Sequence, residues 1–192
     1  MERSILIKTK NVTSEMIEKT LKFHGHWCPG LALGIRISEK VLAELGHSSD
    51  EEIIAIAETD FCGVDAVQFL TGCTIGKGNL LIRDYGKIAF SFYRRTDGRS
   101  LRIVAEPLEQ VFPHTWKNAD NHKRAKDIME IPFQELFRIT EVREPVPDYA
   151  PVKDSMICQQ CGEAVMETKT RISKGRILCK TCFEKENSAT II

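Results

Sequence analysis

The sequence predicts an α+β core, a mixed β-sheet flanked by helices, followed by a small metal-bound domain. Three observations predict it. Ile53 to Ala57 is a continuous apolar run of strand length, which suits a strand buried on both faces. Helical periodicity precedes this run and aromatic-rich strands punctuated by turns follow it, a layering of helices on one sheet. Two C-x-x-C pairs lie beyond a Pro-rich stretch near the end of the chain.

The totals are compatible with this reading. The 192 residues fit one ordinary domain plus a small appendage, and a 42% hydrophobic share is enough for a packed core. Lys+Arg and Asp+Glu both total 27, so no global charge draws the chain to nucleic acid or to an anionic membrane. No apolar run has the length to span a bilayer, and Met1 to Leu6 lacks the core of a signal peptide. A soluble, cytoplasmic protein is the expectation. Of the seven Cys, four lie in the C-x-x-C pairs, and Cys28, Cys62 and Cys73 are scattered. In such a compartment that pattern points to metal ligation or thiol chemistry rather than a disulfide framework.

Taken in order, Ile5 to Ile7 reads as a short edge strand. Thr13 or Ser14 caps a helix reaching Phe23, with Ile17 and Leu21 on one side. His24-Gly25-His26-Trp27-Cys28-Pro29-Gly30 then breaks it. Two imidazoles, a thiol and two backbone breakers in seven residues are more coordinating chemistry than a connection needs. A second helix follows to Leu45, with Leu31, Ile35, Ser38, Leu42 and Leu45 on one face. Pro29 suits its first position, which places Cys28 at the N-cap, where free N–H groups and the helix dipole favour a thiolate. Cys28 is thus either a reactive sulfur or a metal ligand, with His24 and His26 beside it.

After the buried strand, Gly63 to Leu70 reads as a helix, which puts Cys62 at a second strand-to-helix junction. Asp65 sits one turn in, where it joins as a ligand, orients a His, or simply complements the dipole. Thr71-Gly72-Cys73-Thr74-Ile75-Gly76-Lys77-Gly78-Asn79 superficially suggests a phosphate loop. Its glycine spacing is one residue short and Lys77 is followed by Gly78, so no Walker-type nucleotide site is expected. A glycine-rich turn carrying Cys73 and Lys77 toward the same cleft is one reading; a solvated Lys77 is the other. Leu80 to Arg83, Ile88 to Tyr93 and Leu101 to Ala105 are predicted to form an antiparallel meander. Asn121 to Met129 reads as a charged helix, Pro132 to Phe137 as a helical turn and Ile139 to Val142 as a last strand. This gives a core domain over 1–142. Pro145, Pro147 and Pro151 mark 143–154 as a linker, and 155–192 as a second domain.

That domain carries Cys158, Cys161, Cys179 and Cys182, with 17 residues between the inner pair. The spacing fits a four-thiolate structural zinc site; rubredoxin-like iron and redox dithiols are the alternatives. A knuckle at Gly162, a hairpin turning at Lys174-Gly175 and a helix after Cys182 predict a treble-clef finger. Four protein thiolates leave no open position on such an ion, and a module this small draws most of its folding energy from it. Lys169, Arg171, Lys174, Arg176 and Lys180 read as a solvated face or a weak anion contact.

With His24-x-His26-x-Cys28-Pro29-Gly30, Cys62-x-x-Asp65 and the Thr71 to Asn79 motif together, residues 14–142 resemble the E-subunit family of formylmethanofuran dehydrogenase. Some members of that family also carry a C-terminal zinc finger. The resemblance implies a thioredoxin-like core, an active site built from the Cys/His motif, a treble-clef finger and homodimers. In that enzyme the E-subunit is an accessory, and the molybdenum or tungsten pterin chemistry belongs to other subunits. The function expected is therefore a metal-binding or thiol-redox protein of anaerobic C1 or molybdoenzyme metabolism. Its site would comprise Cys28, His24, His26 and Cys62, with Asp65, Cys73 and Lys77 supporting, and a second metal ion in the core. The alternative is a non-enzymatic metal-delivery, sensing or adaptor protein that docks on a partner enzyme through its finger; a nucleic-acid-binding regulator fits the neutral charge less well.

Overall fold

The computed structural model describes residues 11–114, 116–142, 145–149 and 153–188. The edge strand expected at Ile5 to Ile7 lies outside them. The chain divides into two compact units, 1–150 and 151–192.

The first unit is built on α2 (Pro29–Glu44), a helix buried nearly all round. The sequence led us to expect one apolar face. Instead Leu31 to Ser38 are all buried, because α3 (Gly63–Thr71) packs on one side and α5 (Asn121–Glu130) on another. Even Arg36 is enclosed. Its guanidinium donates to the carbonyls of Ile128, Met129 and Ile131, so it caps the C-terminal end of α5, where a cation is favoured. α1 (Ser14–His24) starts at Thr13, whose side chain accepts from the Met16 N–H, and stops at Gly25 with φ 96°.

β1 (Ile53–Ala57) is the centre of a five-stranded sheet in the order β2-β1-β3-β4-β5. All five of its residues are buried. Ile53, Ala55 and Ala57 face the helices, joined by Phe90, Phe92, Leu101 and Ile103; Ile54 and Ile56 pack with Tyr93 on the other face. β2 (Leu80–Ile82) runs parallel to β1, whereas β3 (Ala89–Arg94), β4 (Ser100–Ala105) and β5 (Phe137–Thr140) continue antiparallel from its other side. The expected three-stranded meander is therefore corrected. β2 and β3 do not pair; they flank β1. The α3 crossover lays β2 parallel to β1, and the intervening loop then passes across the end of β1. There the N–H groups of Tyr85 and Lys87 donate to the Glu58 carbonyl. The β3–β4 hairpin forms as expected, turning through Gly98 at φ 73°. Two short helices, α4 (Leu108–Val111) and α6 (Phe133–Leu136), complete the unit.

In the second unit β6 (Ser155–Ile157) pairs with β7 (Ala164–Met166), and β8 (Thr170–Ser173) with β9 (Arg176–Cys179). Lys174 and Gly175, at φ 50° and 76°, make the predicted turn of the second hairpin. α7 (Lys180–Ser188) follows. Among the described residues, no helix is long and apolar enough to cross a membrane.

Candidate metal centres

Three local chain choices bring donors to one end of α2. α1 ends on His24, and the left-handed Gly25 turns the chain back so that His26 stands beside it, with ring centroids 4.5 Å apart. Pro29 opens α2, and Cys28 caps it, its sulfur accepting the Leu31 N–H at 3.4 Å. Cys62 occupies the N-cap of α3 with no capping hydrogen bond from its side chain. The donor atoms of His24, His26, Cys28 and Cys62 all lie within 4.8 Å of one another.

Glycines make this convergence possible. A Cβ on Gly34 would lie 2.3 Å from the Gly63 carbonyl oxygen, and one on Gly30 would lie 2.9 Å from the Cys62 Cβ. The start of α2 can press on the start of α3 only because neither position carries a side chain. These residues escaped the sequence reading, although Gly30-x-x-x-Gly34 was the available signal.

Asp65 closes the arrangement from outside. Its carboxylate accepts from His24 Nδ1 at 2.7 Å, while His24 Nε2 faces the Cys28 sulfur at 3.8 Å. With Nδ1 donating to the carboxylate, Nε2 presents its lone pair to the cluster. Burial, and then the neighbouring Cys28 sulfur, push the Cys62 thiol above its ordinary value. Cys28 is buried, Cys62 and His24 are partly buried, and His26 is exposed.

Cys73 and Lys77 are not brought here. Cys73 lies past the C-terminal end of α3, roughly 13 Å along the helix from Cys62. Its thiol points at the Ile53 carbonyl, at the opposite end of β1, and burial pushes it up to about 11. Lys77 donates to the carbonyls of Ser49 and Asp50 at 3.3 and 3.1 Å, and so braces the loop before β1. A supporting role for either at the cluster is not what their positions provide.

Two thiols and two imidazoles suit zinc or another borderline-soft divalent ion. Tetrahedral zinc with such ligands separates its donors by roughly 3.3–3.8 Å, so the observed spacing needs at most about 1 Å of contraction. The donor set fits a metal ion.

The second unit gathers Cys158, Cys161, Cys179 and Cys182 equally closely. Cys158 and Cys161 bracket a knuckle closed by Gly162, whose N–H donates to the Cys158 carbonyl. Cys179 ends β9 and Cys182 lies in the first turn of α7. The N–H groups of Cys161, Cys179 and Gln160 draw the Cys158 thiol down to about 6, while its bond with Cys179 holds Cys182 up at about 12. Backbone donors aimed at sulfur favour the thiolates a metal ion takes up. Beyond the sulfurs, only Leu178 is fully enclosed among the described residues of this unit, with Phe183 partly so.

Comparison with known proteins agrees with both centres. Residues 23–141 match the family model described as FmdE, molybdenum formylmethanofuran dehydrogenase operon, and residues 154–187 match the prokaryotic dksA/traR C4-type zinc finger. A "probable S-adenosyl-L-methionine-binding protein" of Archaeoglobus fulgidus is 32% identical over 197 aligned positions, covering 88% of this chain and 52% of the relative. The chain thus spans about half the length of that protein. The crystal structure of an FmdE-like protein of tungsten formylmethanofuran dehydrogenase type, from Syntrophus aciditrophicus, superposes with a TM-score of 0.66. The two are 26% identical, over 93% of this chain and 94% of that one. The matched region contains every residue of the His/Cys cluster and Asp65, and on that ground the chain belongs to the FmdE family, with a C4-type zinc finger following the family domain.

Proposed function

We propose that the core is a metal-binding accessory protein of anaerobic C1 or molybdoenzyme metabolism, with a metal ion held by His24, His26, Cys28 and Cys62. The observation that carries this reading is the convergence of four donor atoms within 4.8 Å from α1, α2 and α3. A structural fold alone does not need two imidazoles and two thiols at one point. A zinc ion there would supply Lewis acidity toward a bound ligand. The chain's own part is to hold His24 by Asp65, to hold the Cys28 sulfur by the Leu31 N–H, and to lower the cost of negative charge with two helix N-termini. The finger carries a structural zinc on Cys158, Cys161, Cys179 and Cys182, in the knuckle–hairpin–helix arrangement of a treble clef. The strand order β2-β1-β3-β4 with β1 and β2 parallel supports a thioredoxin-like core. Family membership supports a homodimer in the cytoplasm.

Elemental analysis of anaerobically purified protein tests the reading. Two metal ions per chain are expected in the wild type and one in Cys28→Ala. One ion in both, with unchanged thiol reactivity, would contradict both the metal reading and the thiol reading of Cys28.

A second reading, an adaptor that docks through its finger, is favoured by a separate observation. Ile157, Met166 and Ile172 stand well exposed on that small unit. A full-length chain that captures a partner enzyme, and a 151–192 deletion that does not, would support it. A nucleic-acid role has less support, because Lys174 and Arg176 pair with Glu186, and Lys180 with Glu184.

A further inference from the structure

The four donors of the core cluster are held unequally. His24 is fixed at Nδ1 by Asp65, and its side chain is only 8% exposed. Cys28 is buried and accepts the Leu31 N–H. Cys62 is set by the α3 N-cap and backed by the close approach of Gly30. His26 differs from all three. It follows the left-handed Gly25, it is exposed, and among the described residues its ring meets His24 but makes no hydrogen bond.

We infer that His26 is a displaceable ligand, and that the position it vacates takes a small exogenous thiolate. The inference rests on the reading of the cluster as a metal site. Two thiolates and one imidazole are a known three-ligand set for an ion that keeps its fourth position open. A ligand without an outer hydrogen bond is poorly held in orientation, whereas an anchored one such as His24 is not. Two considerations select a thiolate as the incoming group. The sulfur-rich sphere of Cys28 and Cys62 suits a soft donor. The N-termini of α2 and α3, capped by those same residues, favour negative charge at this point. Exchange replaces a neutral imidazole nitrogen by an anionic sulfur. The incoming thiol gives its proton to solvent or to the freed His26, and no electron is transferred.

Cadmium-113 NMR on the full-length chain tests this, because each bound ion reports its own sulfur count. The wild type should give two resonances, one from the four-sulfur finger and one from the mixed His/Cys cluster. 2-Mercaptoethanol should move only the second, toward greater sulfur ligation, and acetate should move neither. His26→Ala should keep both ions, and its core resonance should respond to mercaptoethanol at roughly tenfold lower concentration, since no protein ligand competes. His24→Ala should lose the core resonance. The proposal is overturned if His26→Ala loses the core ion while His24→Ala retains it, or if mercaptoethanol leaves the wild-type core resonance in place. A response to acetate and not to mercaptoethanol overturns the thiolate class. A wild type that shows only the finger resonance overturns the metal reading itself, which separates the two failures.

Discussion

The carboxylate of Asp65, 2.7 Å from His24 Nδ1, shows how much one residue decides. It selects the tautomer whose Nε2 faces sulfur. Asp65→Asn preserves an acceptor oxygen but removes the charge, and should weaken core metal binding by about 10–100-fold, read by chelator competition. Gly34 decides the spacing. In an isolated helix Gly34→Ala would gain roughly 1 kcal/mol of propensity. Here the added methyl meets the Gly63 carbonyl at 2.3 Å, so overpacking wins. A net loss of about 1–3 kcal/mol in urea unfolding is expected, together with loss of core metal. The role of Cys28 as an N-cap was legible because Pro29 announces the helix start locally. Gly34 was not, because its constraint comes from Gly63, far along the chain. For the same reason the sequence drew Cys73 and Lys77 toward the cluster. Their short separation from Cys62 along the chain hides an intervening helix that carries them to the other end of β1.

Among elements, the junction of β1 with its neighbours is the informative case. The apolar run Ile53 to Ala57 was readable as a buried strand, and the helix after it as a crossover. The strand order was not readable, because a short run such as Leu80 to Ile82 pairs with either neighbour until the crossover and the loop over Glu58 fix its place. That loop also brings an ion pair into view. Arg102 of β4 reaches past Ser91 of β3 to the Glu58 carboxylate, with contacts of 2.5 and 2.8 Å. The Glu58 side chain is 9% exposed and that of Arg102 23%, so the pair is partly screened. Glu58→Ala leaves a largely enclosed guanidinium without its partner. It should cost roughly 2–3 kcal/mol in urea unfolding, less than for a fully buried pair. The double change Glu58→Leu with Arg102→Met should recover most of that loss, because an apolar pair removes the stranded charge. Equal losses in the single and double variants would contradict the argument.

At the scale of the whole molecule, two units depend on metal to different degrees. The core unit encloses a large apolar cluster running from Val12 to Phe137, whereas the second unit encloses little besides its own cysteines and Leu178. A strong chelator should therefore unfold 151–192 and leave 1–150 folded. In a two-dimensional NMR spectrum, the amide signals of the finger should collapse toward random-coil positions while those of the core stay dispersed. Loss of both sets together would contradict the division. This division was legible from the prolines and the C-x-x-C spacing, both of which are local signals. The convergence of α1, α2 and α3 on one His/Cys point was legible only as a set of candidate residues, since its geometry arises from packing.

X-ray absorption at the zinc edge on the zinc-loaded, full-length protein tests the central claim most directly. Ions bound by Cys158, Cys161, Cys179 and Cys182 and by His24, His26, Cys28 and Cys62 give an average shell of three sulfurs and one nitrogen per zinc. That is the result the account predicts, at two zinc ions per chain. One zinc per chain with four sulfurs and no nitrogen would contradict it, and would leave the finger as the protein's one metal centre.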